Sequence, residues 1–333
     1  MRGKVCIYVL IILILSSCQV QESKDVLYIY AGMDDAHAIK AFEQFERDTG
    51  IQVVFKRLSN GKILQLLEEG ETKIDVWYGG PSVLFEEAKR EGLLMPYRSE
   101  KRKDIDPLYY DADGNWTGVY VSVLALVANR QWHLEQGVEL PKRWTDLQRV
   151  EYKGWLTLPD PRITGTGYLT LTMLHQLYGE SRTRSVVENI DTNVSDYAST
   201  GISPGRVIGS KKGAATIMFA HDAMRLKHEG YNELVIIYPT EPTMYEVGAV
   251  AISQTTKNPE QAKLFVDWAL SIEAQEIGKR VGSYQYLTNH SAIQPEQAID
   301  PADLLVIDPD HAQSSTERQN WISQFQEWTK VDN

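Results

Sequence analysis

The chain has 333 residues, enough for about two domains, since single hydrophobic cores stop growing near about 250–300 residues. With 43% hydrophobic and 24% charged residues, the composition is that of a soluble globular protein, which excludes a disordered or collagen-like chain. The balance of 34 Lys and Arg against 45 Asp and Glu gives a formal net charge of −11. That is the wrong sign for coating a phosphate backbone, so no nucleic-acid partner is expected.

Arg2 and Lys4 precede an apolar run from Val5 to Leu15. A run of about 11 residues is too short for a membrane-spanning helix, which needs about 20, so residues 1–17 read as an export signal. The ending Leu15-Ser16-Ser17-Cys18 resembles a bacterial lipobox, which implies cleavage before Cys18 and a lipid on its sulfur. Residues 18–25 would then be a lipidated tether, and several acyl chains together give stable membrane anchoring. Cys6 leaves with the signal and Cys18 is blocked, so the exported part has no intramolecular disulfide and rests on core packing. Loss of Arg2 and Lys4 takes the net charge from −11 to −13.

In chain order, Val26–Tyr30 reads as a strand, followed by a helical pattern whose apolar face carries Ile39, Phe42 and Phe45. Ile51–Phe55 is the next strand, and Ile63–Leu67 lies in a helix that Ser59 is placed to cap. Ile74–Tyr78 is a third strand, closed by Gly79-Gly80, with Pro81 placed to open a helix. Further strands are expected at Ser122–Ala128, Trp155–Leu158, Ala214–Phe219, Leu234–Tyr238 and Gly248–Ile252. Asn258-Pro259-Glu260 has the form of a helix start, and the helix it opens buries Ala262, Phe265, Val266 and Ala269. Strands and helices alternating in this way predict an α/β fold with a largely parallel sheet.

In open α/β sheets ligands sit beyond the carboxyl ends of the strands. The residues at those junctions are Asp34 after the first strand, Ser59 after the second, Tyr78 and Gly79 at the third, and Thr164-Gly165-Thr166-Gly167 before a helix. His221-Asp222 follows Phe219, and Glu246 stands just before Gly248. A Gly-rich turn entering a helix points N–H groups at an anion and adds a favourable dipole, though the same threonines also serve as ordinary helix caps. A carboxylate can accept from sugar hydroxyls and an imidazole can donate to an oxyanion. Asn60-Gly61-Lys62-Ile63 lacks the spacing and hydroxyl of a nucleotide-binding P-loop, and neither H-E-x-x-H nor G-x-S-x-G occurs. The 7 His show no metal-ligand spacing, so no catalytic set, metal site or cofactor is expected. Tyr109-Tyr110 reads as packing, and Asn115-Trp116-Thr117 as an incidental glycosylation triplet.

Taken together, Tyr28-Ile29-Tyr30-Ala31-Gly32, Asp75-Val76-Trp77-Tyr78-Gly79-Gly80, Gly92-Leu93-Leu94, Asp160-Pro161 through Gly167, Pro204-Gly205-Arg206, Gly248-Ala249-Val250-Ala251-Ile252 and Asn258-Pro259-Glu260-Gln261-Ala262-Lys263 resemble the extracellular solute-binding proteins of ABC importers. The nearest branch by these motifs is the ferric-iron, hexose-phosphate and aminoethylphosphonate group, and the likeness runs from about Val26 to about Thr288. The resemblance implies the two-lobed periplasmic-binding-protein fold, with one lobe at 26–124 plus 248–290 and the other at 125–247 plus 291–333. Ser122–Ala128 and Gly248–Ile252 would be its two hinge strand crossings. It implies a monomer in the cell envelope that hands a small-molecule ligand to an ABC permease and its ATPase. Ferric-iron binders of the group carry a consecutive tyrosine pair where this chain has Met218-Phe219-Ala220-His221-Asp222. His221 and Asp222, with Glu246, are instead similar to the residues that hold the sugar in the sugar-phosphate members, and the Thr164 helix start to the phosphate site. The expected ligand is a small phosphorylated organic anion. Ferric iron held by His and carboxylates, a cleft phosphatase, and an importer fold serving adhesion or sensing are the alternatives.

Overall fold

A computed structural model of the chain describes residues 26–296, 298–307 and 317–329. The signal, Cys18 and the tether lie outside the described residues. The N-terminal part alternates β1 (Val26–Ala31), α1 (Asp35–Thr49), β2 (Gln52–Arg57), α2 (Asn60–Glu68), β3 (Val76–Pro81) and α3 (Ser82–Arg90). β1 lies between β2 and β3 and is parallel to both, with Tyr28 opposite Val54 and Tyr30 opposite Trp77. Parallel neighbours need a crossover, and the intervening helices supply it.

Two local expectations are corrected here. α1 buries Ala38, Ala41, Phe42 and Phe45, whereas Ile39 is 42% exposed. The two small alanines let the helix approach the sheet, and Ile39, about 100° around the helix from Ala38, falls off the buried stripe. Ser59 precedes α2 but makes no side-chain cap, and it is exposed.

After β4 (Leu94–Met95) come β5 (Thr117–Asn129), α4 (Arg130–Gln136), β6 (Leu156–Pro159), α5 (Gly165–Asp191), β7 (Val194–Ala198), α6 (Ser203–Gly209), β8 (Ala215–Phe219), α7 (Ala220–His228) and β9 (Leu234–Ile237). β10 (Thr243–Ser253), α8 (Pro259–Ala269), α9 (Ile272–Gln275), β11 (Tyr286–Leu287), β12 (Val306–Ile307) and α10 (Arg318–Trp328) complete the described elements. The main strand order is β2-β1-β3-β10-β5-β8-β6-β7. β10 is antiparallel to β3, β5 to β10, and β8 to β5. The expectation of a largely parallel sheet is therefore corrected: two parallel groups are joined through a central antiparallel pair.

All 13 positions of β5 are buried, as a strand covered on both faces requires. The buried apolar side chains nevertheless fall into separate clusters. The largest takes Leu27 to Val123 and Tyr245 to Ile277. A second runs from Leu124 to Phe219 and adds Met244, Trp321, Phe325 and Trp328. The change of partner comes between Val123 and Leu124 on β5 and between Met244 and Tyr245 on β10. The fold is thus α/β and two-lobed, with β5 and β10 as the two crossings. Ile299 and Leu304 pack on the first cluster, while α10 covers the second.

Asp75, just before β3, ties the first lobe together. Its buried carboxylate accepts from the Tyr28 amide at 2.9 Å, the Thr256 hydroxyl at 2.6 Å and the Asn258 side-chain amide at 3.0 Å. Asn258 consequently does not cap α8 through its side chain, contrary to expectation.

Candidate ligand-binding cleft

The carboxyl ends of the parallel strands face each other across the two lobes, and the loops leaving them carry the polar groups. In the first lobe, Asp34 caps α1: its Oδ1 accepts from the Ala36 and His37 amides at 3.0 and 3.4 Å. Its Oδ2 accepts from Arg225 of α7, in the other lobe, at 2.7 Å. Burial works to raise the Asp34 pKa, but the bond and charge of Arg225 with the two amides hold it below the ordinary value.

Beside Asp34, the Asn60 amide donates to Gly32 O at 3.0 Å and its oxygen accepts from Trp77 Nε1 at 3.2 Å. Tyr78 is only 1% exposed, and its ring packs edge-on against Phe265 at 5.2 Å. Its side chain belongs to the core, and its backbone alone reaches the strand end. Gly79 and Gly80 follow with φ of +81° and +111°, a conformation that favours glycine. The Gly80 amide donates to the hydroxyl of Tyr120 on β5 at 3.3 Å.

In the second lobe, β8 delivers His221 and Asp222 into the first turn of α7, where a carboxylate is favoured by the helix dipole. His221 Nε2 stands 3.5 Å from Asp222 Oδ1, its ring stacks on Phe219 at 5.5 Å, and its Nδ1 is buried without a partner. Burial lowers the His221 pKa, against the pull of Asp222 in the other direction. A small cavity beside this ring is lined by Val121, Val123, Met224, Tyr238 and Tyr284. Glu246 on β10 pairs across the ladder with Ser122 on β5. Burial first, and then the like charge of Asp222, push its pKa up to about 8, which favours the protonated form.

Thr164 caps α5. Its hydroxyl accepts from the Gly167 amide at 3.0 Å and donates to Asp160 O at 2.7 Å, so that oxygen is already engaged. Gly165 and Thr166 occupy the first helical positions, where N–H groups have no partner inside the helix. Gly165 is exposed and open, whereas the Thr166 side chain is buried under Gly201.

Asp34, His221, Asp222 and Glu246 come together as one group. His221 feels the charges of Asp222 and Asp34, Glu246 feels that of Asp222, and Tyr120 feels both Glu246 and Asp34. The Thr164–Thr166 turn lies on the same strand edge of the second lobe, since β6 runs parallel to β8. Ser59 and Gly79 lie on the facing edge of the first. Sequence reading missed Tyr120 and Arg225. Arg225 has a signal in retrospect: it stands one helical turn beyond His221, on the same face. Among the described residues, the group of three His or carboxylate side chains close enough together to share a cation is Glu68 of α2, Glu87 of α3 and Glu91 just after α3, away from this group.

This geometry, two α/β lobes with polar strand ends facing across a hinge, is that of a solute receptor. The chain belongs to the bacterial extracellular solute-binding proteins, whose family pattern matches residues 71–314. It is similar to the periplasmic binding protein AfuA of Actinobacillus pleuropneumoniae, solved with exogenous fructose-6-phosphate bound, at 32% identity and a TM-score of 0.84, covering 93% of this chain and 100% of that one. An uncharacterized protein of Haemophilus influenzae is 33% identical over 298 residues, 86% of this chain and 85% of that relative. The Fe(3+)-binding periplasmic protein of Serratia marcescens is 23% identical over 286 residues, 82% of each. Proteins of this family are exported, non-enzymatic transport components that bind small ligands and deliver them to an ABC permease; this chain is the substrate-binding component of such an importer. No described helix is long and apolar enough to cross a membrane.

Proposed function

We propose that the protein captures a small phosphorylated organic anion, of hexose phosphate or phosphonate type, between its lobes. The observation that carries this reading is the juxtaposition of His221 and Asp222, at the end of β8, with Glu246 on β10, whose pKa is raised by burial and by Asp222. A carboxylate beside a carboxylic acid offers acceptors and a donor to neutral hydroxyls. The free N–H groups of Gly165 and Thr166 on the same edge suit the phosphoryl group. The likeness to AfuA, solved with a sugar phosphate, supports the same class.

A second reading is ferric iron, favoured by the Serratia marcescens relative and by the concentration of carboxylates around His221. Against it, no tyrosine pair follows β8. Thermal shift separates the two, because a ligand bound only by the folded state stabilises by about 2.7 kcal/mol at a hundredfold excess over Kd. Fructose 6-phosphate, glucose 6-phosphate or aminoethylphosphonate should raise the melting temperature, and Asp222→Ala should abolish the rise. A response to ferric citrate with none to any phosphorylated compound would overturn the proposal. Turnover of a chromogenic phosphate ester would instead establish a cleft phosphatase.

We further propose that Cys18 carries the membrane anchor, which a mass measurement of the N-terminal peptide, with Cys18→Ala as control, tests directly. We propose 26–124 with 248–290 as one lobe and 125–247 with 291–333 as the other, except that Tyr245, Val247, Ile299 and Leu304 pack with the first. The protein is proposed to act as a monomer.

A further inference from the structure

The residues that close the rim of the cleft are not those that face its interior. Arg225 Nη1 and Asp34 Oδ2 are 2.7 Å apart and 191 positions apart in sequence. Asp34 stands on the first lobe at the start of α1, while Arg225 stands on α7 among Ala223 and Leu226, which are buried in the second lobe. Arg225 is also held from behind, since its Nε donates to Glu229 at 3.2 Å and Glu229 pairs with Arg206 at 2.9 Å. This backing aims the guanidinium across the cleft and lowers the entropy lost when the pair forms. The side chains are 34% and 30% exposed, which places the pair at the solvent rim. α7 carries Arg225 one turn beyond His221, so whatever moves His221 toward the first lobe also brings Arg225 onto Asp34.

We infer that Asp34 and Arg225 form an interlobe latch, setting how tightly the closed cleft holds its ligand without touching the ligand. They are positioning residues: the ion pair exists in the closed form and is broken in the open one, so it shifts that equilibrium toward closure. A rim pair of this exposure is worth about a two- to fivefold shift and weakens as salt shortens the screening length.

The test rests on the phosphorylated-anion reading for its binding arm only. Asp34→Asn keeps an equally good N-cap oxygen on α1 while removing the charge, and Arg225→Gln removes the other partner. Calorimetry with fructose 6-phosphate as probe should show wild-type affinity falling about two- to fivefold from low to high salt. Each variant should start weaker by that factor and lose the salt response. The double variant should be no weaker than either single one, as residues acting through one contact require. Glu229→Gln, which leaves the Asp34 contact in place, should have the smaller effect. Hydrogen exchange on the ligand-free full chain provides the independent arm, and residues 32–37 and 219–225 should exchange faster in both single variants. Additive losses, or unchanged exchange with wild-type salt dependence, would overturn the latch. Faster exchange in a protein that binds no phosphorylated probe would keep the latch and reject the proposed ligand.

Discussion

The hydroxyl of Tyr120 accepts the Gly80 amide at 3.3 Å, fastening the hinge strand β5 to the carboxyl end of β3. The same ring lies across Gly248 of β10, where an added Cβ would stand inside contact distance of the ring carbons. Tyr120→Phe therefore leaves a buried N–H without its acceptor, a loss of about 1–3 kcal/mol. Gly248→Ala forces the ring aside and should cost a similar amount by overpacking. Urea unfolding of the ligand-free protein checks both, and stability equal to wild type in Gly248→Ala would show that the ring has room to move.

The α5 turn provides a way to remove one donor and nothing else. Gly165 sits at the first helical position with open space around its missing Cβ, and Thr164 before it is already extended, with φ −114° and ψ 139°. Proline is well tolerated there. Gly165→Pro should keep the melting temperature while weakening binding of a phosphorylated probe about tenfold. Thr164→Ala should instead lower stability by about 1 kcal/mol through loss of the cap, with or without ligand.

Glu246 gives the pH dependence a sign. Its carboxyl, raised from 4.5 to about 8 by burial and then by Asp222, holds its proton in the folded chain where the unfolded chain has lost it. The folded state binds more protons in that window, so this group's contribution to stability is present below about pH 4.5 and is lost as pH rises through about 8. Glu246→Gln should leave the ligand-free melting temperature unchanged near pH 5 and raise it by about 2 °C or more near pH 8. Melting curves of the two proteins across that range decide the point.

Asp75 should be among the least replaceable polar residues. It is 2% exposed and collects Tyr28 of β1 and both Thr256 and Asn258 of the loop before α8. Asp75→Ala strands those donors and is expected to cost about 3 kcal/mol or more, read as a fall in the urea midpoint with no dependence on ligand.

Much of the scaffold was legible because periodicity and turn chemistry act locally. Glycines and short apolar runs marked β1, β3, β8 and β10, and Asn258-Pro259 marked α8. What was not legible depends on contacts across the chain. Whether Asn258 caps its own helix or donates to Asp75 is settled by a residue 183 positions away. Ile39 reads as core until Ala38 and Ala41 are seen against the sheet. The same holds at the cleft: His221 and Asp222 announce themselves as a polar pair at a strand end, but Tyr120 looks like one more β-former in an apolar run. Its role follows only from the neighbouring strands, which bring Gly80 and Gly248 to it.

The split of the core at Val123/Leu124 and Met244/Tyr245 also orders the birth of the molecule. The first lobe cannot complete its interior until Tyr245 to Ile277 are available, although its opening strands are made first. The second lobe is largely self-contained within the intervening segment, apart from Met244 and the covering helix α10. For a chain that emerges N-terminus first, the later-encoded lobe is therefore positioned to consolidate first. The earlier one waits half-formed, with β3 exposing the edge that β10 will later occupy. That vacant edge is the vulnerable moment in maturation, since an unpaired strand invites pairing with other chains.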